Sequence, residues 1–160
     1  MFDENHDLIV CDPGASGAFL VFSEGTYKSF NMPKDGDTVI VDTILAFAER
    51  HLQPSTVFIL EDIPLTTRGH CPESANSKLQ RNYSLIKGAV LTSKLGPSLV
   101  LMKPQTWQRK LGIKRVKGMG QQDWKRFLAN VARTHYPDQK ITLVNADAYL
   151  MAAAWRLSYH

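Results

Sequence analysis

Cysteine is scarce in this chain. Cys11 and Cys71 are its two cysteines, and neither stands in a Cys-x-x-Cys or Cys/His spacing, which argues against a structural zinc site. Cys11 lies inside an apolar run and reads as a small buried hydrophobe. Cys71 follows Gly69-His70 in a loop, and nothing about the pair calls for an oxidising compartment. Long apolar runs are also missing, so no stretch qualifies as a membrane span. The first residues, MFDENHD, are acidic and polar, the reverse of a secretory leader, and the expectation is a protein that stays in the compartment where it is made. No repeat and no low-complexity tract interrupts the chain.

What is present is ordinary in amount and uneven in arrangement. Hydrophobic residues make up 44% and charged residues 21% of 160 residues, enough for one domain with a real core and too little for two large ones. The net charge is +4 and the pI about 9.1. Between Lys103 and Arg126 stand eight Lys or Arg residues and one acid, Asp123, whereas the first 62 residues are acid-rich. Such an asymmetry suits a polyanion held against metal-binding carboxylates; a merely solvated charged face is the plainer alternative.

The stretch at residues 7 to 22, DLIVCDPGASGAFLVF, organises the rest. Leu8 to Cys11 reads as a buried strand, Pro13-Gly14 and Ser16-Gly17 as turn punctuation, and Gly17 to Phe22 as a returning strand. Asp12 thus ends a central strand, either facing a cleft or simply opening the turn. Residues 25 to 31 predict a third strand. Asp37 or Thr38 is placed to cap a helix running to about Leu52, with Val41, Ile44, Leu45 and Ala48 on its apolar face. Val57 to Leu60 predicts a strand buried on both faces, ending in Glu61-Asp62. After a loop at 64 to 73, a long helix is expected from Ser74 to about Leu95, with Leu79, Tyr83, Ile86, Val90 and Leu91 as its stripe and Gly88-Ala89 as a flat patch. Ser98 to Met102 predicts a fifth strand. Short helices follow: one opened by Pro104 with Trp107 and Leu111 inward, one from about Gln121 to His135 with Trp124, Phe127, Leu128 and Val131 on its core face, and a last one capped by Asn145 with Asp147 in its first turn.

Two buried strands therefore end in carboxylates, Asp12 and Glu61, and an ionised acid near a core is costly unless it is paired or binds a cation. Strand ends of an α/β sheet are also where ligands bind. Asp147 at a helix start has a simpler explanation as well, a favourable dipole contact of about 0.3–1 kcal/mol.

The element order and the segments IVCDPGASGA at 9 to 18, FILED at 58 to 62, KLQRNYSLIKGAV at 78 to 90, KPQTWQRKLGI at 103 to 113 and NADAYLMAAAW at 145 to 155 resemble the RNase H-like nuclease superfamily. The local motifs are more similar still to RuvC-type Holliday-junction resolvases, including their phage, viral and organellar relatives. The resemblance spans nearly the whole chain. It implies one α/β domain with a mixed five-stranded sheet, three antiparallel strands then parallel ones, and helices on both faces. It implies a Mg²⁺-dependent (or Mn²⁺-supported) endonuclease with Asp12, Glu61 and Asp147 as metal-binding acids. Two ions would serve phosphodiester hydrolysis to a 5′-phosphate, and a homodimer would nick four-way junctions symmetrically. By the same resemblance the 74 to 95 helix is the dimer surface. Localisation would follow the DNA: cytoplasm, organelle or virus-infected cell.

The chain also departs from that pattern. A fourth ligand is expected shortly before Asp147, where Leu143 and Val144 have no coordinating side chain; Asn145 could offer a weak carbonyl oxygen, and Asp62 or Asp138 could substitute. An aromatic wedge after the strand-end acid is replaced by Pro64-Leu65. Arg68, Lys103, Arg109, Lys110, Lys114, Arg115 and Lys117 remain as contacts to DNA phosphates. Competing functions are a nuclease of the same fold acting on flaps or forks, and a non-catalytic nucleic-acid-binding module with a decayed site. The D-x-G-x-S-G stretch is also similar to the phosphate loop of sugar and acetate kinases, which need a second large domain that 160 residues do not supply.

Overall fold

The computed structural model describes residues 7–64 and 73–158. Leu8–Cys11 (β1), Ala18–Ser23 (β2) and Thr26–Asn31 (β3) form an antiparallel meander. Val57–Glu61 (β6) then lies parallel to β1, and Leu99–Met102 (β7) parallel to β6. The result is a five-stranded mixed sheet in the order β3-β2-β1-β6-β7. Five helices accompany it: Val41–Arg50 (α1), Glu73–Thr92 (α2), Pro104–Lys110 (α3), Gln121–His135 (α4) and Ala146–Arg156 (α5). This is the expected α/β architecture, and its topology is that of an RNase H-like fold.

Alternation along β1 explains the layering. Successive side chains of a strand point to opposite faces. Leu8 and Val10 join Val57, Ile59, Trp107, Leu128, Tyr149 and Leu150 in one apolar cluster. Ile9 and Cys11 join Phe58, Leu60, Ile44, Tyr83, Ile86 and Val90 in the other. α3, α4 and α5 therefore cover one face and α1 and α2 the other. All four β1 residues are at most 1% exposed, as a continuous apolar run in the middle of such a sheet requires.

Several local expectations are corrected. The first helix begins at Val41 rather than at Asp37 or Thr38, and Ile40 at its N-cap makes no side-chain cap. Residues Lys34–Asp35 (β4) and Thr38–Val39 (β5) pair instead as a small hairpin, turning at Gly36 with φ +55°. Buried Asn82 of α2 holds that hairpin, accepting from the Val39 N–H (3.3 Å) and donating to the Asp37 carbonyl (2.9 Å). Backbone groups that could have opened a helix are thus claimed by a tertiary partner. In α2, Tyr83, Ile86 and Val90 are buried but Leu91 is 53% exposed, so the inward stripe is narrower than its apolar residues suggest. Phe127 is likewise exposed, stacked on Trp124 with ring centroids 5.6 Å apart. β7 is preceded by a 3₁₀ turn at Gly96–Ser98, which shortens the expected fifth strand. Cys71 and the 64 to 73 loop, apart from its first residue and its last, lie outside the described residues.

Candidate functional site

Parallel pairing sets Cys11 beside Leu60. One step further along that register stand Asp12 and Glu61, on strands about 4.8 Å apart. Asp12 opens the turn, the plainer of the two roles its position suggested. Its N–H donates to the Ala18 carbonyl (3.0 Å), closing the β1–β2 corner, and its Oδ1 accepts the Gly14 N–H (3.1 Å). The corner is tight around the acid. A Cβ on Gly17 would come 2.5 Å from the Asp12 carbonyl oxygen and 2.8 Å from its Cγ. Gly17→Ala is therefore expected to displace the Asp12 carboxylate and to destabilise the protein by about 1–3 kcal/mol, the usual range for forced overpacking. Urea unfolding measures the loss; an unchanged midpoint would show that the corner relaxes freely.

Consecutive residues at the end of β6 face opposite ways, as the strand pleat dictates. Glu61, 8% exposed, accepts a hydrogen bond at Oε1 from the Trp107 indole N–H of α3 (3.2 Å). Asp62 points toward α2, where the Tyr83 hydroxyl donates to its Oδ1 (2.6 Å). Its N–H donates to the Met102 carbonyl. Asp62 is thereby committed to the other face of the sheet, away from its proposed substitution as a ligand, and Asp138 lies exposed after α4. Asp147 enters from the first turn of α5, which packs on β1. Buried Asn145 sits at the N-cap of that helix without a side-chain cap. Its Oδ1 accepts the Thr142 N–H (2.7 Å), and its Nδ2 donates to the Lys140 carbonyl and the Ser29 hydroxyl (3.0 Å each). The carbonyl oxygen considered as a weak ligand already holds the turn before α5.

The three acids feel one another. Burial, then the charges of Asp12 and Asp147, push the Glu61 carboxyl well above its ordinary range, against the opposing Trp107 N–H. Burial and the Asp12 charge raise Asp147 from an ordinary 3.8 to about 7. Burial also raises Asp12, while the Gly14 N–H and the charge of Lys125 pull it down. Lys125, an exposed residue of α4, acts on Asp147 in the same sense. The sequence had marked Lys125 only as part of a basic run. Its place beside Trp124, at the margin of α4's core face, was legible from helical spacing; that its charge reaches Asp12 and Asp147 was not.

Proximity is not yet chelation. Among the described residues no group of three or more His, Cys, Asp or Glu side chains is gathered closely enough to hold a metal ion. The carboxylates share an electrostatic neighbourhood, and their chemistry suits a hard divalent ion: oxygen donors only, partly desolvated, with mutual repulsion that a cation would relieve. Binding such an ion would require the side chains to draw closer together.

The expected phosphate contacts divide by what they already touch. Lys103 is the N-cap of α3, just past the C-terminal end of edge strand β7, which runs parallel to the strands that end at Asp12 and Glu61. Arg109 and Lys110 lie in the last turn of α3, and Lys110 donates to the Ser158 hydroxyl. Arg115 holds its own loop, donating to the Met119 carbonyl from Nε (3.2 Å) and Nη2 (2.8 Å) and to Gln121 Oε1 from Nη1 (3.3 Å). Lys114 and Lys117 are exposed on that loop. Arg68 lies outside the described residues.

No family model matches this chain, and no curated protein does. No described helix is long and apolar enough to cross a membrane.

Proposed function

We propose that this protein is a structure-selective DNA endonuclease of the RuvC type, using Mg²⁺ (or Mn²⁺) to cut four-way junctions as a homodimer. The observation that carries the proposal is electrostatic. Three acids from three distant segments are held partly desolvated: burial raises Asp12, burial with the charges of Asp12 and Asp147 raises Glu61, and burial with the charge of Asp12 raises Asp147. The charge of Lys125 from a fourth segment opposes this at Asp12 and Asp147. A fold has little reason to gather uncompensated carboxylates unless a cation or a substrate uses them.

Asp12, Glu61 and Asp147 would hold the divalent ions. A bound ion supplies Lewis-acid stabilisation of charge on the phosphodiester and a water nucleophile at neutral pH. Trp107 fixes the Glu61 carboxylate through its indole N–H. Gly17 leaves the space that Asp12 occupies. Lys125 brings positive charge to where a phosphate would meet the acids. Lys103, Arg109, Lys114 and Lys117 extend that charge for the DNA backbone, and phosphate contacts of this kind bind without reading sequence. Dimerisation through α2 is supported by exposed Leu85 and Leu91 on either side of Gly88, where a Cβ would meet nothing within 4 Å. A two-fold dimer presents two equal sites to a symmetric junction.

A second reading has an observation of its own. The lack of a tight three-ligand group among the described residues favours a nucleic-acid-binding module without catalysis. Incubating the protein with a synthetic four-way junction, flaps, forks and plain duplex, with Mg²⁺ or with EDTA, separates the two. Paired nicks in the junction carrying 5′-phosphates, absent with EDTA, are the expected result. Junction binding with no nick in any substrate, in Mg²⁺ or Mn²⁺, would leave the binding module. Cutting confined to flaps or forks would keep the nuclease and discard the junction.

A further inference from the structure

α3 and the chain that follows it form an open pocket of about 480 Å³, within the roughly 300–1,000 Å³ of small-ligand sites. Gln105, Thr106, Gln108, Arg109, Ile113 and Lys114 line it. Gln105, Gln108 and Arg109 stand at i, i+3 and i+4, so one face of α3 presents them together. Trp107 leaves from another face and reaches Glu61. The helix that steadies the candidate site therefore also forms a wall of this cavity.

The lining has a definite chemistry. Two cations, Arg109 and Lys114, and no carboxylate are among the lining residues, which suits an anion. Two primary amides, each able to donate and to accept, suit the edge of a nucleobase. Buried Ile113 offers an apolar surface for a ring face. Among the described residues, Gln105, Gln108, Arg109 and Lys114 have no side-chain partner within the protein, in contrast to Lys110, Arg115 and Arg126, which do. The opposite wall is held in place: the Ile113 N–H donates to the Gln108 carbonyl (2.8 Å), Gly112 turns the chain with φ +66°, and Arg115 ties the following loop to Met119. A wall fixed before binding lowers the ordering cost of a ligand.

We propose that this cavity takes one unpaired nucleotide from the DNA strand bound at the acids. Arg109 and Lys114 hold its phosphate, Gln105 and Gln108 its base edge, and Ile113 the base face. The proposal rests on the nucleic-acid reading above and adds a source of selectivity to it. Extruding a base costs least where pairing is already broken, so a one-nucleotide site favours branch points over intact duplex. The two amides favour the bases whose edges match them.

The test uses a four-way junction with 2-aminopurine at the branch, in EDTA so that nothing is cut. Anisotropy reports binding and 2-aminopurine fluorescence reports unstacking. Wild-type protein should bind and raise the fluorescence. The double variant Gln105→Ala, Gln108→Ala removes side chains without internal partners and replaces them with a good helix former. It should lose the fluorescence rise while affinity stays within about tenfold, because phosphate contacts dominate affinity. Lys114→Glu should lower the salt slope of binding by about one contact. Binding without any rise in the wild type, or an undiminished rise in the double variant, overturns the cavity proposal and leaves the nucleic-acid reading standing. Absence of binding to any DNA ends both. 2-Aminopurine deoxynucleoside 5′-monophosphate alone should not bind at micromolar concentration; if it binds as tightly as the junction, the cavity is a free-nucleotide site and the proposal fails.

Discussion

Glu61→Gln should lower junction nicking by roughly three orders of magnitude, the scale seen when one preorganised electrostatic contact to a transition state is removed. The substitution keeps the side-chain shape and leaves an oxygen for the Trp107 indole N–H, so the local packing survives. It removes the negative charge that would grip a divalent ion. Junction affinity should stay within about threefold of wild type or tighten slightly, since an anion near the DNA backbone has been neutralised. Single-turnover nicking beside an anisotropy titration separates the two effects. Normal cutting speed in this variant would mean that Glu61 is not part of the chemistry, whatever its electrostatic surroundings.

In protein stripped of divalent ions, stability should fall as pH rises from about 4 to about 7, and Asp147→Asn should remove much of that fall. The sign follows from the direction of the shift. The Asp147 carboxyl stands at about 7 in the folded chain against an ordinary 3.8. Below the lower value it is protonated in both states and its contribution to stability is whole. As pH climbs through the upper value, the unfolded chain has already released its proton and the folded chain must ionise a group that burial and Asp12 disfavour, so the contribution is lost. A displacement of that size is worth on the order of 4 kcal/mol, and the neutral amide avoids it. Glu61 and Asp12 are shifted in the same direction and steepen the trend. Denaturant unfolding in EDTA across this pH range reads it directly, with wild type and Asp147→Asn converging near pH 4. Millimolar Mg²⁺ should recover stability at pH 8, where the carboxylates are ionised, by roughly 2.7 kcal/mol at a hundredfold excess over its dissociation constant. It should do little at pH 4. A pH-independent stability in EDTA would contradict the electrostatic account; no response to Mg²⁺ at pH 8 would remove the metal.

These two results bear on different links of the chain of causes. The first asks whether Glu61 takes part in a reaction. The second asks only whether the carboxylates are as crowded and desolvated as the fold places them, and its outcome stands without any DNA.

By itself, the amino-acid order determined the five strands of the main sheet, the five helices apart from the start of the first, and the places where carboxylates end two of those strands. Leu8 to Cys11 and Val57 to Leu60 are continuous apolar runs because a strand in the middle of a covered sheet must be apolar on both sides. A break in such a run by an acid marks a strand end wherever it occurs. That logic is local, so Asp12 and Glu61 could be read directly, and α4 could be placed from Gln121 to His135 by its spacing and by Pro137. Tertiary structure decided everything that depends on who faces whom. The pleat sends Glu61 to Trp107 and its neighbour Asp62 to Tyr83, so adjacent acids have different surroundings. Asn82 claims the backbone where a helix start was expected, and Asn145 turns back on Thr142 instead of capping α5. Lys125 comes to the acids only because α4 packs against α5, which itself lies on β1. Burial periodicity records which side of an element is inside. It carries no information on which charged group of another element meets that side, because the meeting is set by packing between segments far apart along the chain.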